Sequence, residues 1–324
     1  MDSKELKAIY QNYAKAFSFE KKPTNLYVPV DYIMNLGGKN IRATLLLMSN
    51  NMYDDNVDKA LPLAHAIELF HNFTLVHDDI MDEALLRRGH TTVHHKYGIN
   101  SGILSGDVML IYVYKILNGI DDKEKCKTIL DVFTQTAIEV CEGQQYDVDF
   151  EQQDTVTIED YLLMIKLKTA VLIAAALHIG AIMGGASEED ARGLYEFGIN
   201  AGIAFQIQDD LLDAYGDQEL IGKKRGGDIV QNKKTILYLT AIANSSATDE
   251  QKLRTLYANN ILPEKEKIEV VTSLFDKYEV KETVILERDA FIGKAFDCLK
   301  NLNGKETSKV QLREMAEFLI KRKK

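Results

Sequence analysis

Residues 73–82 of the chain read Phe-Thr-Leu-Val-His-Asp-Asp-Ile-Met-Asp, an apolar run that ends in three carboxylates. On a helix, Asp78 and Asp82 would lie on one face, about 5–6 Å apart, where like charges destabilise the helix. Acidic groups in apolar surroundings are also costly unless they are paired or bind a metal. The pattern therefore indicates a bound cation, although a solvated acidic face is the simpler interpretation of one such motif alone.

A second acidic motif has the same spacing. Asp209-Asp210-Leu211-Leu212-Asp213 again follows an apolar stretch, residues 203–207. Two helices that faced each other with these motifs would place acids on opposite walls of a cavity. Hard carboxylate oxygens suit Mg²⁺, which retains several waters and takes further ligands from substrate phosphates. The two copies together favour a magnesium and diphosphate site over a solvated surface.

The distribution of proline predicts the fold class. The four prolines are Pro23, Pro29, Pro62 and Pro263, so residues 63–262 contain none. Proline inside a helix costs roughly 3 kcal/mol, and strand-rich folds need frequent turn residues. A long proline-free stretch rich in Ala, Leu, Ile and Lys therefore predicts an all-α fold of stacked helices. Since no linker or repeat interrupts it, we predict one domain over residues 1–324.

Composition narrows the functional classes. The chain has 324 residues and a net charge of −10, from 39 basic and 49 acidic residues. That balance argues against nucleic-acid binding, whose footprint is usually basic. The three cysteines are odd in number and show neither a metal-ligand spacing nor a disulfide framework, which predicts a reducing, cytoplasmic compartment. Residues 169–186 are nearly all apolar but short, and His178 and Gly180 interrupt them, so we predict a buried helix and no membrane insertion.

Basic residues follow both acidic motifs and the Gly37-Gly38 turn. They are Lys39, Arg42, Arg87, Arg88, Lys223, Lys224, Arg225, Lys233 and Lys234, and one more, Lys168, opens the apolar stretch of residues 169–186. Each pair alone is typical of a solvated surface. Together they meet the requirement for cations around two diphosphate groups.

With these motifs the sequence resembles the trans-isoprenyl diphosphate synthases, or polyprenyl synthetases, over nearly its whole length. The resemblance implies an all-α bundle of the class I isoprenoid synthase type around a deep central cavity, usually in a homodimer. It implies that Asp78, Asp82 and Asp209 bind Mg²⁺, supported by Asp79, Asp210 and Asp213. One departure is Asn40, where the family usually has a second basic residue after the lysine of its glycine turn.

The resemblance also assigns the substrate-binding residues. For isopentenyl diphosphate they are Lys39, Arg42, His71 and Arg88. For the allylic diphosphate (dimethylallyl, geranyl or farnesyl) they are Arg87, Lys168, Lys223 and Lys233, with Thr169 and Gln206 beside the allylic carbons. The adjacent Lys234 leaves open which of the two lysines binds diphosphate.

The implied reaction is ionisation, condensation and elimination, in which Mg²⁺ and cationic side chains stabilise the leaving diphosphate. The residues assigned to catalysis serve that ionisation, and they are Arg87, Lys168, Thr169, Gln206 and Lys233. A class I terpene cyclase is an alternative, but it would not need a second diphosphate clamp. A non-catalytic subunit of a two-chain synthase is another, but it would lack an acidic motif.

Residues before the first acidic motif predict the product length. In the family the growing chain extends alongside this helix toward earlier residues. Phe73 is bulky, Thr74 is small, and Phe70 lies one turn deeper on nearly the same face as Phe73. The resemblance therefore implies a C15–C20 product, with C20 favoured. The alternative is that both phenylalanines only pack between helices.

Overall fold

The computed structural model describes residues 1–153, 155–216, 225–258 and 262–321. The regular secondary structure of these ranges is helical apart from one short hairpin, which confirms the predicted all-α class. The Cα positions divide the chain into two compact units. Unit 1 comprises Met1–Gln135, Ala175–Tyr195 and Leu302–Leu312; unit 2 comprises Thr136–Ala174, Glu196–Asn301 and Arg313–Lys324. The single domain over residues 1–324 stays a prediction.

The elements of the first third of the chain surround a core of two helices, Ile41–Tyr53 and Leu61–Met81. In chain order they are α1 (Ser3–Ala14), α2 (Thr24–Asn35), α3 (Ile41–Tyr53), a 3₁₀ turn (Asp58–Ala60), α4 (Leu61–Met81), the antiparallel strands β1 (Leu86–Arg87) and β2 (His90–Thr91), α5 (Val93–Tyr97) and α6 (Ile99–Leu117).

The later elements include one long helix that carries the whole second acidic motif and a π-helical turn that carries Lys168. They are α7 (Lys123–Gln152), α8 (Ile158–Ile165), a π-helical turn (Lys166–Ala170), α9 (Val171–Gly184), α10 (Glu188–Tyr215), α11 (Gly227–Val230), α12 (Ile236–Asn244), α13 (Ala247–Ala258), α14 (Glu264–Lys277), α15 (Val280–Lys300) and α16 (Glu306–Lys321).

Helix α3 forms the centre of unit 1, where residues 43–52 are all buried. The second half of α9 packs against it. The hydroxyl of Ser49 donates a hydrogen bond to the Leu177 carbonyl oxygen at 2.5 Å. A Cβ on Gly184 would stand 2.7 Å from the Asn50 carbonyl oxygen, so this contact between helices requires glycine.

The apolar stretch predicted to be a core helix forms α9. The longer helical segment Ile158–Gly184 is apolar enough to cross a membrane by length and composition, but core helices of soluble proteins pass the same test. Within α9, Ala174, Ala175, Ala176 and Leu177 have no exposed surface. This burial supports a core helix, as predicted.

Candidate active site

The first acidic motif lies where α4 ends. Helix α4 stops at Met81, and Asp82 is its capping residue, with its backbone N–H bonded to the Asp78 carbonyl oxygen. The Asp79 side chain is buried, that of Asp78 is partly buried, and Asp82 is exposed. The three carboxylates therefore run from the core to the surface over one helical turn.

Arg87 of β1 is bound to this motif through two parallel hydrogen bonds. Its Nε donates to Oδ2 of Asp79 and its Nη2 to Oδ1, both at 2.7 Å. The same Nη2 lies 3.7 Å from Oδ2 of Asp78. Burial alone would lower the pKa of Arg87, but the hydrogen bonds and charge of Asp79 outweigh it and raise that pKa. Asp79 therefore orients the guanidinium, since bidentate pairs fix geometry.

All four members of the predicted isopentenyl clamp lie in unit 1. Nη1 of Arg42 lies 3.1 Å from Nε2 of His71. Because a guanidinium can only donate, this imidazole nitrogen accepts and the ring is neutral. Burial, followed by the charges of Arg42, Arg88 and Arg87, holds the pKa of His71 well below its ordinary value. Arg88 donates to the Gly37 carbonyl oxygen, and Lys39 is exposed in the same turn.

Glu68 is a member of this cluster that the sequence analysis missed. It is 3% exposed, and its Oε1 accepts a hydrogen bond from the Ala43 backbone N–H at 3.1 Å. Asn40, the N-cap of α3, has a left-handed φ of 51° and makes no side-chain capping bond. Glu68 therefore satisfies a donor in the first turn of α3, the turn that carries Arg42. The only signal in the sequence is an acid within the apolar run Ile67-Glu68-Leu69-Phe70.

Unit 2 contains a cavity of about 120 Å³ that collects four of the five residues assigned to catalysis, Lys168, Thr169, Gln206 and Lys233. Its other lining residues are Asp147, Phe150, Glu151, Tyr161, Met164, Ile165, Asp210, Asp228, Lys234 and Thr235. The wall is thus cationic and acidic on some sides and apolar on others. Asp209 precedes Asp210 on α10 and is partly buried.

A chain of hydrogen bonds fixes the polar side of this cavity. The Thr169 hydroxyl donates to Oε1 of Gln206 at 3.4 Å, and Nε2 of Gln206 donates to Oδ1 of Asp210 at 3.4 Å. The Tyr161 hydroxyl donates to Oδ2 of Asp210 at 2.5 Å. Burial and the neighbouring Asp228 raise the pKa of Asp210 to about 8, against the opposing effect of these hydrogen bonds.

The cavity lysines have different environments. Nζ of Lys168 lies 2.5 Å from Oδ2 of Asp147, and both side chains are about a fifth to a quarter exposed, at 24% and 21%. Nζ of Lys234 donates to the carbonyl oxygens of Phe150 and Gln153, both at 2.6 Å. These carbonyls belong to the C-terminal end of α7 and the residue after it, where cations are favoured. Lys233 lines the cavity beside it.

The two remaining predicted residues are Asp213 and Lys223. Asp213 accepts a hydrogen bond from the Asp228 backbone N–H at 3.0 Å, which ties α10 to α11. Lys223 lies outside the described residues. Asp147 and Tyr161 were not selected from the sequence, because nothing in it relates α7 or α8 to Lys168 and Asp210.

The predicted chain-length residues lie in an aromatic row. Phe73 is 9% exposed and Phe70 is 1% exposed. The ring of Phe73 lies 5.5 Å from that of Phe70 and 4.8 Å from that of His77, and Phe70 lies 5.1 Å from Phe133. Thr74 donates its hydroxyl to the His71 carbonyl oxygen. These contacts agree equally with a chain-length floor and with packing between helices.

Comparison with known proteins identifies the class. Residues 23–275 match the family model for polyprenyl synthetases. The chain therefore belongs to the polyprenyl synthetase family, which confirms the predicted family and, at that level, the predicted prenyltransferase class.

Several members of the family are similar over most of the chain. The geranylgeranyl diphosphate synthase of Methanosarcina mazei is 41% identical over 232 residues, 70% of this chain and 71% of the relative. The geranylfarnesyl diphosphate synthase of Natronomonas pharaonis is 41% identical over 239 residues, 68% of this chain and 70% of the relative. A crystal structure of a geranylgeranyl pyrophosphate synthase, 43% identical, superposes with a TM-score of 0.95 and covers 100% of both chains.

Proposed function

We propose that this protein condenses isopentenyl diphosphate with an allylic diphosphate and releases inorganic diphosphate. The observation that carries the proposal is the cavity of unit 2, where Lys168, Lys233, Thr169 and Gln206 line one space. Two ammonium groups beside hydroxyl and amide oxygens suit an anion whose attached carbon becomes positive. The similarity to the geranylgeranyl and geranylfarnesyl diphosphate synthases supports the same activity.

The acidic residues suit Mg²⁺ as the cofactor. Asp78 and Asp82 at the end of α4, and Asp209 on α10, offer hard oxygen donors. In the described part of the chain no three His, Cys, Asp or Glu side chains converge on one point. This fits an ion that takes its remaining ligands from water and substrate phosphate. When bound, Mg²⁺ would neutralise charge on the leaving diphosphate.

The residues around the allylic substrate have separate roles. Lys168 and Lys233 bind the diphosphate and stabilise the negative charge that develops as it leaves. Arg87 is proposed for the same role from the family resemblance alone. Asp147 holds the Lys168 ammonium, and Asp79 holds the Arg87 guanidinium, so neither group needs to reorganise during the reaction. Thr169 and Gln206, which are hydrogen-bonded to each other, face the allylic carbons with their oxygens.

The cavity must also exclude water, because water would add to an allylic cation. Phe150, Met164 and Ile165 form the apolar part of its lining, and all three are at most 8% exposed. No side-chain nucleophile is required. The homoallylic double bond of isopentenyl diphosphate forms the new carbon–carbon bond, and the proton then leaves to the released diphosphate.

The isopentenyl diphosphate is held by the clamp of Lys39, Arg42, His71 and Arg88. His71 is neutral and accepts from Arg42, so the ring fixes the guanidinium without adding a competing charge. Lys39 is exposed and supplies a further positive charge. The family resemblance assigns this cluster to isopentenyl diphosphate, the substrate that keeps its diphosphate.

We propose a C20 product. Phe70 and Phe73 carry two large rings before the first acidic motif, and Thr74, next to Phe73, is small. The relatives include synthases named for C20 and C25 products, geranylgeranyl and geranylfarnesyl. A terpene cyclase is not favoured by these relatives, and both acidic motifs are present, unlike in a non-catalytic subunit.

We further propose a cytoplasmic homodimer. Helix α6 exposes Ile99, Ile103, Leu104 and Ile111, which are between 41% and 65% accessible. Ile99, Ile103 and Ile111 repeat at multiples of four residues and so share one face. A contiguous apolar face of this kind marks an interaction surface, and a second copy of the chain would cover it. The free cysteines Cys126, Cys141 and Cys298 suit a reducing compartment.

The test is an assay with radiolabelled isopentenyl diphosphate, an allylic starter and Mg²⁺, followed by sizing of the products. The Asp78→Ala and Asp209→Ala variants should each lose turnover by orders of magnitude while circular dichroism reports an intact helical fold. Near-normal condensation in either variant, or full activity in excess chelator, would contradict the mechanism.

A further inference from the structure

The helix that carries Lys168 and Thr169 is interrupted at those residues. Lys166–Ala170 forms a π-helical turn between α8 and α9. Turns of this kind are rare and often occur at functional sites. In an α-helix, with 3.6 residues per turn, successive side chains diverge by roughly 100°. A π-turn holds more residues per turn, so neighbouring side chains diverge less, and here both Lys168 and Thr169 line the same cavity.

Two glycines from other helices lie against the main chain of this turn. A Cβ on Gly143 of α7 would stand 2.6 Å from the carbonyl carbon of Leu167 and 2.7 Å from Cα of Lys168. A Cβ on Gly202 of α10 would stand 2.7 Å from both Cα and Cβ of Ala170. Real Cβ atoms essentially never come within 3.0 Å of another heavy atom. Most of these neighbours are backbone atoms, which cannot rotate away as the end of a side chain can.

The helix that approaches through Gly143 also holds the Lys168 side chain. Asp147 lies one turn further along α7, and its carboxylate binds the Lys168 ammonium at 2.5 Å. Helix α10 likewise approaches through Gly202 and presents Gln206, one turn on, to the Thr169 hydroxyl. On each helix a glycine therefore sets the distance to the π-turn, and the residue four positions later binds a side chain of that turn.

We propose that Gly143 and Gly202 are positioning residues that hold the π-turn and thereby aim Lys168 and Thr169 into the cavity. The proposal rests on the proposed function for its kinetic assay only. Any side chain at either position pushes a helix away from the turn, and it lengthens the Asp147–Lys168 or Gln206–Thr169 contact. The expected defect lies in the ionising substrate, because these contacts belong to the allylic site.

The experiment compares Gly143→Ala and Gly202→Ala with Gly293→Ala. Gly293 lies within α15, and a Cβ there would meet nothing within 4 Å. All three changes place alanine in a helix, where it is intrinsically favoured over glycine. Only the first two create a collision, so the control separates sterics from helix propensity.

We expect kcat/KM for the allylic diphosphate to fall on the order of 100-fold in Gly143→Ala and Gly202→Ala, since a displacement of about 1 Å in a catalytic group has that effect. The KM for isopentenyl diphosphate should stay within about twofold, and Gly293→Ala should match wild type. Hydrogen exchange should show faster exchange of amides in residues 167–172 in the first two variants only. If either Gly143→Ala or Gly202→Ala does not fold, the kinetics and the exchange of the other variant decide the test.

Wild-type allylic kinetics in the folded Gly143→Ala or Gly202→Ala variant would overturn the proposal. Equal loss toward both substrates without faster exchange in residues 167–172 would also overturn it, because the effect would then be general. Failure of the proposed function has a different signature. In that case the wild-type protein itself would form no prenyl product, while the exchange result would still report whether the glycines hold the turn.

Discussion

Replacement of Arg87 by lysine tests whether the first acidic motif is held by a bidentate pair. Arginine makes two hydrogen bonds of 2.7 Å to Asp79, whose side chain is 1% exposed. Lysine keeps the charge but, as a point-like ammonium, cannot reproduce the parallel pair. One charge-assisted hydrogen bond to a buried carboxylate is therefore lost, which costs about 1.5–3 kcal/mol. We expect Arg87→Lys to lower the free energy of unfolding by about 2 kcal/mol.

A matched control is available on α10. Arg192 pairs with Glu188 at 3.1 Å, but the two side chains are 73% and 88% exposed. Exposed pairs contribute about 0–1 kcal/mol because water and salt screen them. Arg192→Lys should therefore change stability by less than about 0.5 kcal/mol, although the chemical change is identical.

Urea unfolding measures both variants, and the midpoint should shift in Arg87→Lys while the slope stays constant. Amide exchange within α4 gives a second reading that is local to the motif. A loss below about 0.5 kcal/mol in Arg87→Lys, or an equal loss in Arg192→Lys, would refute the argument that burial makes this pair strong.

Three other predictions test separate parts of the molecule. Lys39→Ala should raise the KM for isopentenyl diphosphate about tenfold, roughly 1.4 kcal/mol, whereas Lys168→Ala should mainly lower kcat. If Lys39→Ala affected only the allylic substrate, the two diphosphate clamps would be misassigned. Burial lowers the pKa of His65 from 6.5 to about 4, so the folded state resists protonation and stability should fall by about 3 kcal/mol from pH 6.5 to 4. His65→Phe should remove that part of the pH dependence in urea titrations. Phe73→Ala should lengthen the main product by at least one C5 unit in mass spectra, and an unchanged product would exclude Phe73 as the floor of the pocket.

The local pattern of the sequence was sufficient for the fold class, while the metal-binding role of the acidic motifs stays a prediction. The absence of proline from residues 63–262 predicts helices because proline is incompatible with their interiors. The four-residue spacing within each motif carries its own geometry, since it depends only on the helical repeat. Both signals are local, so both can be recognised without knowing which helices pack together.

The partners of the predicted cations could not be predicted, because they come from distant positions. Asp147 precedes Lys168 by 21 residues, and Tyr161 precedes Asp210 by 49. Their identity depends on which face of α7 and α8 packs inward. The π-turn has no periodicity signal either, because residues 169–184 are apolar on nearly every side and a phase shift of one residue does not show there. In the sequence Gly143 looks like an ordinary turn residue. Only the structure shows that the backbone of Leu167 lies beside it.

Two of the cationic residues proposed to bind diphosphate are paired with carboxylates, in a chain whose net charge is already −10. Asp79 binds Arg87, and Asp147 binds Lys168, each through a carboxylate that is at most about a fifth exposed. A cation held in this way loses little side-chain entropy when a diphosphate arrives, because its rotamer is already fixed. The acids weaken the attraction for the substrate but set the direction of each donor. In a site where negative charge develops on a leaving group, fixed direction is the larger contribution, because preorganised donors need no reorganisation as the bond breaks.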